Sequence, residues 1–251
     1  AKRVSNPGGY STGFLARAAP LVRAGLIPPD FPLTVNAVSG YSGGGRTMIE
    51  EFEKKDSPLH TDSVVRTYAL NLAHKHVPEM QVHAGLAHPP LFAPIVGRFY
   101  RGMMVDVPLQ AWALPGKPDA KALHAAVHDA YRDRPLVEVA SLEEAAALKT
   151  LDAEALKNSN KLKLYVFANE KTGQVRLTAL LDNLGKGAQK PLALYLDLLA
   201  RSVNPGDSVL DPFGGTGVII PAAHELKCQA TYIEQDTAQY GIAVSRLQGL
   251  K

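Results

Sequence analysis

Cysteine is almost absent from this chain: Cys228 is the only one among 251 residues. A single thiol excludes an internal disulfide framework and a cysteine-rich zinc site, and it points to a reducing, cytoplasmic setting. Charge of one sign is lacking too. The 27 Lys and Arg against 24 Asp and Glu leave a formal charge of +3, so no electrostatic footprint for nucleic acid is present. No apolar run approaches the roughly 20 residues of a membrane span, and no secretory signal opens the chain. What is present is a 46% hydrophobic chain, enough for one large or two modest globular domains.

The stretch Asn6-Pro7-Gly8-Gly9-Tyr10-Ser11-Thr12-Gly13 stands out first. Pro-Gly-Gly continues neither strand nor helix comfortably. It predicts a tight turn onto a helix N-terminus, where free N–H groups and the positive dipole end suit an oxyanion or a thiolate. A plain glycine-rich loop is the competing reading, and Pro20 interrupts the helical pattern that follows. A strand over 33–38 then leads into Ser39-Gly40-Tyr41-Ser42-Gly43-Gly44-Gly45-Arg46 and a helix over 47–54. Strand, glycine loop and helix form a candidate phosphate cradle, with Arg46 favouring an anion. The Gly-Lys-Ser/Thr ending of a P-loop is absent, and a flexible loop fits the residues as well.

His74 and His76, at i and i+2 on an extended segment, share one face. No third ligand accompanies them, so the pair reads as a general acid/base rather than a metal site, with Pro78 and Glu79 opening a helix. Residues 88–94 read as an irregular loop. Arg98 and Arg101, at the head of a strand running to Leu109, suit a carboxylate or phosphate, or simply solvent. An amphipathic helix over 119–133 follows, with Leu123, Ala126, Val127 and Tyr131 on one face. A short strand over 136–139, a helix capped by Ser141, and a hairpin of strands 162–168 and 174–181 complete this part.

From about Arg3 to Ala188 these residues resemble the catalytic domain of N-acetyl-gamma-glutamyl-phosphate reductase. The matching blocks are Asn6-Pro7-Gly8-x-Tyr10, 35–45, His74-Lys75-His76-Val77-Pro78-Glu79, Gly97-Arg98-Phe99 and 180–187. The resemblance implies an NADP-dependent reduction of an acyl phosphate through a cysteine thioester. It places that cysteine at Gly9, the acid/base at His76 in preference to His74, and the substrate against Ser39, Gly43, Gly44, Arg46, Glu79, Arg98 and Arg101. Gly9 has no side chain with which to form a thioester, and no G-x-G-x-x-G follows a strand near the start. An inactive reductase domain is therefore expected, with a small-molecule substrate site and self-association through its sheet.

The remaining residues, 189–251, resemble the carboxy-terminal part of amino-group DNA methyltransferases. A strand ends in Asp211-Pro212-Phe213, Gly215 and Gly217 open a helix over 218–226, and a second strand ends in Ile233-Glu234. A further helix is expected over 237–247. The resemblance implies S-adenosylmethionine on Asp211, Phe213, Gly215, Gly217 and Glu234, although the Asp/Asn-Pro-Pro-Tyr/Phe motif of that family is missing. The expected fold is α/β: a mixed, largely antiparallel sheet with helices over 1–188, then a small Rossmann-like β-α-β-α segment over 189–251. Three functions compete: a reductase-derived domain, an S-adenosylmethionine-binding module, and a structural or assembly unit.

Overall fold

The computed structural model describes residues 8–183, 204–211 and 219–232, with Val244 and Gln248. They fall into two compact units that divide after Asn183. The first is built around helix α1 (Gly9–Arg23), which is buried on almost every side, from Tyr10 through Leu21. Burial of that extent outweighs the helix-breaking tendency of Pro20, so the helix runs straight through it. Gly13 permits the close approach. A Cβ there would sit 2.7 Å from Val105 Cγ2.

α1 lies on one face of a seven-stranded sheet. The strands are β1 (Thr34–Gly40), β2 (Val65–Thr67), β3 (Leu91–Gly97), β4 (Met103–Gln110), β5 (Val137–Val139), β6 (Leu162–Asn169) and β7 (Gln174–Leu181). They lie in the order β2-β3-β1-β4-β7-β6-β5. Four of the six pairings are antiparallel, and only β1 with β3 and β5 with β6 are parallel. The sheet is thus mixed and largely antiparallel, as expected. The helices α2 (Gly45–Glu53), α3 (Val77–Ala84), α4 (Ala120–Tyr131) and α5 (Leu142–Ala147) connect the strands, and α3 and α4 flank α1. Asp119 and Ser141 cap α4 and α5 through the N–H groups of Ala122 and Glu144. Leu123 and Val127 are buried, with Ala126 and Tyr131 packed beside them.

Two local expectations are corrected, and one strand, β2, went unread in the sequence. Residues 88–94 are not all loop, because β3 begins at Leu91 and lies between β2 and β1. Its Pro94 is tolerated for a geometric reason. Leu91 N donates to Leu33 O on the β1 side, whereas Pro94 O accepts from Tyr68 N on the β2 side. The missing N–H therefore faces the end of the three-residue β2, where the ladder stops. Arg98–Gly102 is loop rather than strand, since β4 starts at Met103. Strand β2 itself carries too few residues for a period-2 pattern to register.

Buried Arg17 crosses from α1 to the sheet. Its guanidinium donates to Gly13 O at 2.7 and 3.0 Å, to Val105 O at 2.8 Å and to Leu177 O. Burial lowers its pKa to about 9, with Asp106 and then Tyr131 opposing.

In the second unit β8 (Ser208–Asp211) and β9 (Gln229–Tyr232) pair in parallel around α6 (Ile219–Glu225). This agrees with the β-α-β expectation. Residues 184–203 and Glu234 lie outside the described residues, as does most of the helix expected over 237–247.

Candidate active site at the start of the first helix

The N-terminus of α1 has no side-chain cap among the described residues and no acidic residue of its own in its first turn. The His76 imidazole lies against it. A Cβ on Gly8 would overlap that ring, so glycine is what lets the imidazole approach the helix start. Burial, then His74, then Lys75 lower the His76 pKa from 6.5 to about 4, and the helix dipole acts in the same direction. His76 Nδ1 is buried without a hydrogen-bond partner among the described residues. The ring is therefore held neutral near pH 7.

His74 stands beside it, with ring centroids 4.8 Å apart. Its Nδ1 accepts from His76 N at 3.1 Å, which places the proton of the neutral ring on Nε2. Burial lowers its pKa as well, followed by Lys75. Tyr10, Tyr68 and Phe92 complete an aromatic wall, with edge contacts of 5.0 to 5.9 Å. Tyr68 Oη donates to Tyr10 Oη at 2.8 Å. Burial raises the Tyr10 pKa, and hydrogen bonds with Tyr68 and Ser39 oppose it.

Gly9, next in the chain, is the first residue of the helix. A Cβ there would meet Met103 Cε at 3.3 Å and Sδ at 3.4 Å, then Leu181. Glu79 accepts from buried Ser11 at 2.6 Å, so its carboxylate ties α3 to α1. Sequence reasoning passed over Ser11. Its only signal was a hydroxyl on the inward stripe of a helix, which makes a polar partner obligatory.

Ser39 and Gly43 gather around Asn183. The Asn183 Nδ2 donates to Gly40 O at 3.0 Å, Ser39 Oγ at 3.2 Å and Ser42 Oγ at 3.3 Å, while its Oδ1 accepts from Gly102 N at 2.9 Å. The glycine stretch forms a 3₁₀ turn, Tyr41–Gly44, leading into α2. The amides of Gly40, Tyr41 and Ser42 donate to Gly102 O, Phe99 O and Tyr100 O at 2.9 to 3.1 Å. Those three are therefore spent on the neighbouring loop rather than offered to an anion. Gly44 and exposed Arg46 follow at the start of α2.

Arg98 and Arg101 brace loops. Arg98 donates to Ser63 O at 3.2 Å, to Phe52 O at 3.5 Å and to Thr61 O. Arg101 donates to Asn158 Oδ1 and lies 3.7 Å from the buried Asp182. In the second unit Asp211 ends β8. Phe213, Gly215, Gly217 and Glu234 lie outside the described residues. Among the described residues no group of His, Cys, Asp and Glu is placed to hold a metal ion, and no helix is long and apolar enough to cross a membrane.

Comparison with known proteins gives the family and the fold. N-acetyl-gamma-glutamyl-phosphate reductase of Brucella anthropi is 48% identical over 203 residues, covering 81% of this chain and 65% of the relative. That of Brucella ovis is 47% identical over 199 residues, covering 79% and 64%. The chain thus spans just under two thirds of these curated relatives. Aspartate semialdehyde dehydrogenase II of Vibrio cholerae shares the fold, with a TM-score of 0.54 at 14% identity over 79% of this chain and 62% of that one. A model of the DNA methylase family matches residues 135–245, which supports the methyltransferase resemblance and overlaps the end of the first unit. The model described as semialdehyde dehydrogenase, dimerisation domain, matches residues 9–183. These residues are nearly the whole of the first unit, and through them the chain belongs to the semialdehyde dehydrogenase dimerisation-domain family.

Proposed function

We propose that this chain carries the catalytic-domain scaffold of an N-acetyl-gamma-glutamyl-phosphate reductase, an oxidoreductase of arginine biosynthesis, without the nucleophile. The observation that carries this reading is the neutral His76 imidazole seated on Gly8 at the N-terminus of α1. A neutral imidazole accepts a proton from a thiol, and a helix N-terminus stabilises the resulting thiolate. Gly9, where the family resemblance places the cysteine, offers neither. Ser11 is no substitute, because its hydroxyl is buried and committed to Glu79.

His76 is assigned as the acid/base. Ser39, Gly43, Gly44 and Arg46 are assigned to the substrate side, with Arg46 the exposed cation for an acidic small molecule. Arg98, Arg101 and Glu79 support that side by holding its loops and helices. NADP belongs to this reading through the family. In the first unit, however, the amides of Gly40, Tyr41 and Ser42 are bonded to the 99–102 loop, and no hydride step is assigned to these residues. The reading includes a cytoplasmic setting, self-association through the sheet, and a boundary between 188 and 189.

Replacing Gly9 by Cys tests it. The neighbouring Met103 thioether is flexible enough to yield the few tenths of an ångström required. The new thiol is expected to react with iodoacetamide faster than Cys228, and to slow when His76→Ala is added. A thiol as inert as Cys228, or phosphate-dependent oxidation of N-acetylglutamate semialdehyde by the unmodified chain, would overturn the assignment.

A second reading, favoured by the DNA methylase match over 135–245 and the parallel β8-α6-β9 unit, is an S-adenosylmethionine-binding module. It assigns Asp211, Phe213, Gly215, Gly217 and Glu234 to the ligand. Calorimetry with S-adenosylmethionine should then show binding that Glu234→Ala weakens. Binding untouched by that change removes the motif from the explanation.

A further inference from the structure

A base that moves a proton works in one orientation, and a catalytic imidazole is ordinarily turned into place by a hydrogen bond at its second nitrogen. His76 lacks that device among the described residues, where its Nδ1 is buried without a partner. The 3.1 Å bond between His76 and His74 leaves from the backbone N of His76 rather than from its ring. Orientation of the ring therefore falls to its packing. Gly8 lies against Nε2 and Cε1, leaving no room for a Cβ. Beside the ring stand His74, with centroids 4.8 Å apart, and Tyr10, at 5.9 Å and 61°.

Tyr10 is tied to the fold at both ends. Its root is the second residue of α1, and its side chain is buried, with the Phe92 ring at 5.0 Å. At its tip the hydroxyl accepts from Tyr68 Oη at 2.8 Å and bonds with Ser39. Tyr68 directly follows β2 and Ser39 lies in β1, so the side chain spans from the helix to two parts of the sheet. The same ring meets His74 edge-on at 5.8 Å and 85°. Tyr10 thus packs against both imidazoles, at separations and angles that are a favoured arrangement of aromatic rings.

Resting on the reading of His76 as the acid/base, we infer that Tyr10 is the positioning residue of this site, its ring holding the His76 imidazole turned against Gly8 at the start of α1. Tyr10 acts through His76 and gives up no proton itself. Burial raises its own pKa, which keeps the hydroxyl protonated and bonded near neutral pH. Loosening or removing the ring lets water reach the imidazole. Because burial is the largest cause of the lowered His76 pKa, that loosening moves the His76 titration upward.

The test follows the His76 ring carbons by NMR through a pH titration of the full chain, the signals being assigned by their loss in His76→Gln. Tyr10→Leu removes the ring and is expected to raise the His76 midpoint by about one pH unit, roughly tenfold in proton affinity. Tyr10→Phe keeps the ring but cuts its hydroxyl tethers, and about half a unit, roughly threefold, is expected. Val127→Ala, a truncation on the buried face of α4, should lower the melt and leave the midpoint in place. If Tyr10→Leu unfolds the chain, Tyr10→Phe decides. The inference is overturned if the midpoint stays put in the folded Tyr10 variants, or if Val127→Ala shifts it as far. No thiol at position 9 enters these titrations, so their outcome is independent of Gly9→Cys reactivity. An imidazole that Tyr10 holds but that leaves the Gly9→Cys thiol unaffected would sink the acid/base reading alone.

Discussion

Lowering the pH from 7 to 5 should cost this protein stability in a way that His76 accounts for. In the unfolded chain the imidazole titrates near 6.5; in the fold, burial and then the neighbouring His74 and Lys75 lower it to about 4. Because the folded value is the depressed one, the unfolded state binds the extra proton between these limits. The contribution is thus fully present above pH 6.5 and is lost as the pH falls toward 4. For one site the whole shift corresponds to roughly 3 kcal/mol, of which about 2 kcal/mol is drawn by pH 5. The ring keeps some contact with solvent, which reduces the expected loss to about 1 kcal/mol. His74, lowered in the same direction, adds to the slope. Urea unfolding at pH 7, 6 and 5 measures it, and His76→Gln should flatten the dependence by that amount. An equal slope in both proteins would refute the claim that the fold holds this imidazole neutral.

Gly8→Ala should displace the His76 ring and destabilise the chain by about 1–3 kcal/mol, the usual cost of overpacking, with the pH slope shrinking alongside; an unchanged midpoint would mean that the ring does not sit there. Asn183→Leu removes the partner of Gly102 N and Gly40 O at once and is expected to cost about 2–3 kcal/mol in urea unfolding. A chain ending at residue 188 should keep a single cooperative melt, and a molten product would move the proposed boundary.

Much of the fold could be read from local pattern. The hairpin of β6 and β7 follows from alternation on either side of an Asn169–Gly173 turn, and the cap at Ser141 follows from hydroxyl chemistry at a helix start. These signals lie within a few residues of the structure they specify. What escaped was set by distant partners. β3 was hidden by prolines that are harmless only because one of them faces the end of a three-residue strand, and α1 passes Pro20 because its surroundings bury it.

The candidate site divides along the same line. The order of residues alone singled out the Gly8–Gly9 helix start and the His74 and His76 pair, since each is a matter of residue type and spacing, while the family resemblance marked position 9 as the place of the missing thiol. Only the tertiary structure decided that Gly8 receives the imidazole, that Glu79 is committed to Ser11, and that Arg98 and Arg101 brace loops rather than face outward as free cations. A side chain's chemistry is written in its identity, whereas its partner is settled by which surfaces the packed sheet and helices bring within about 3 Å of it.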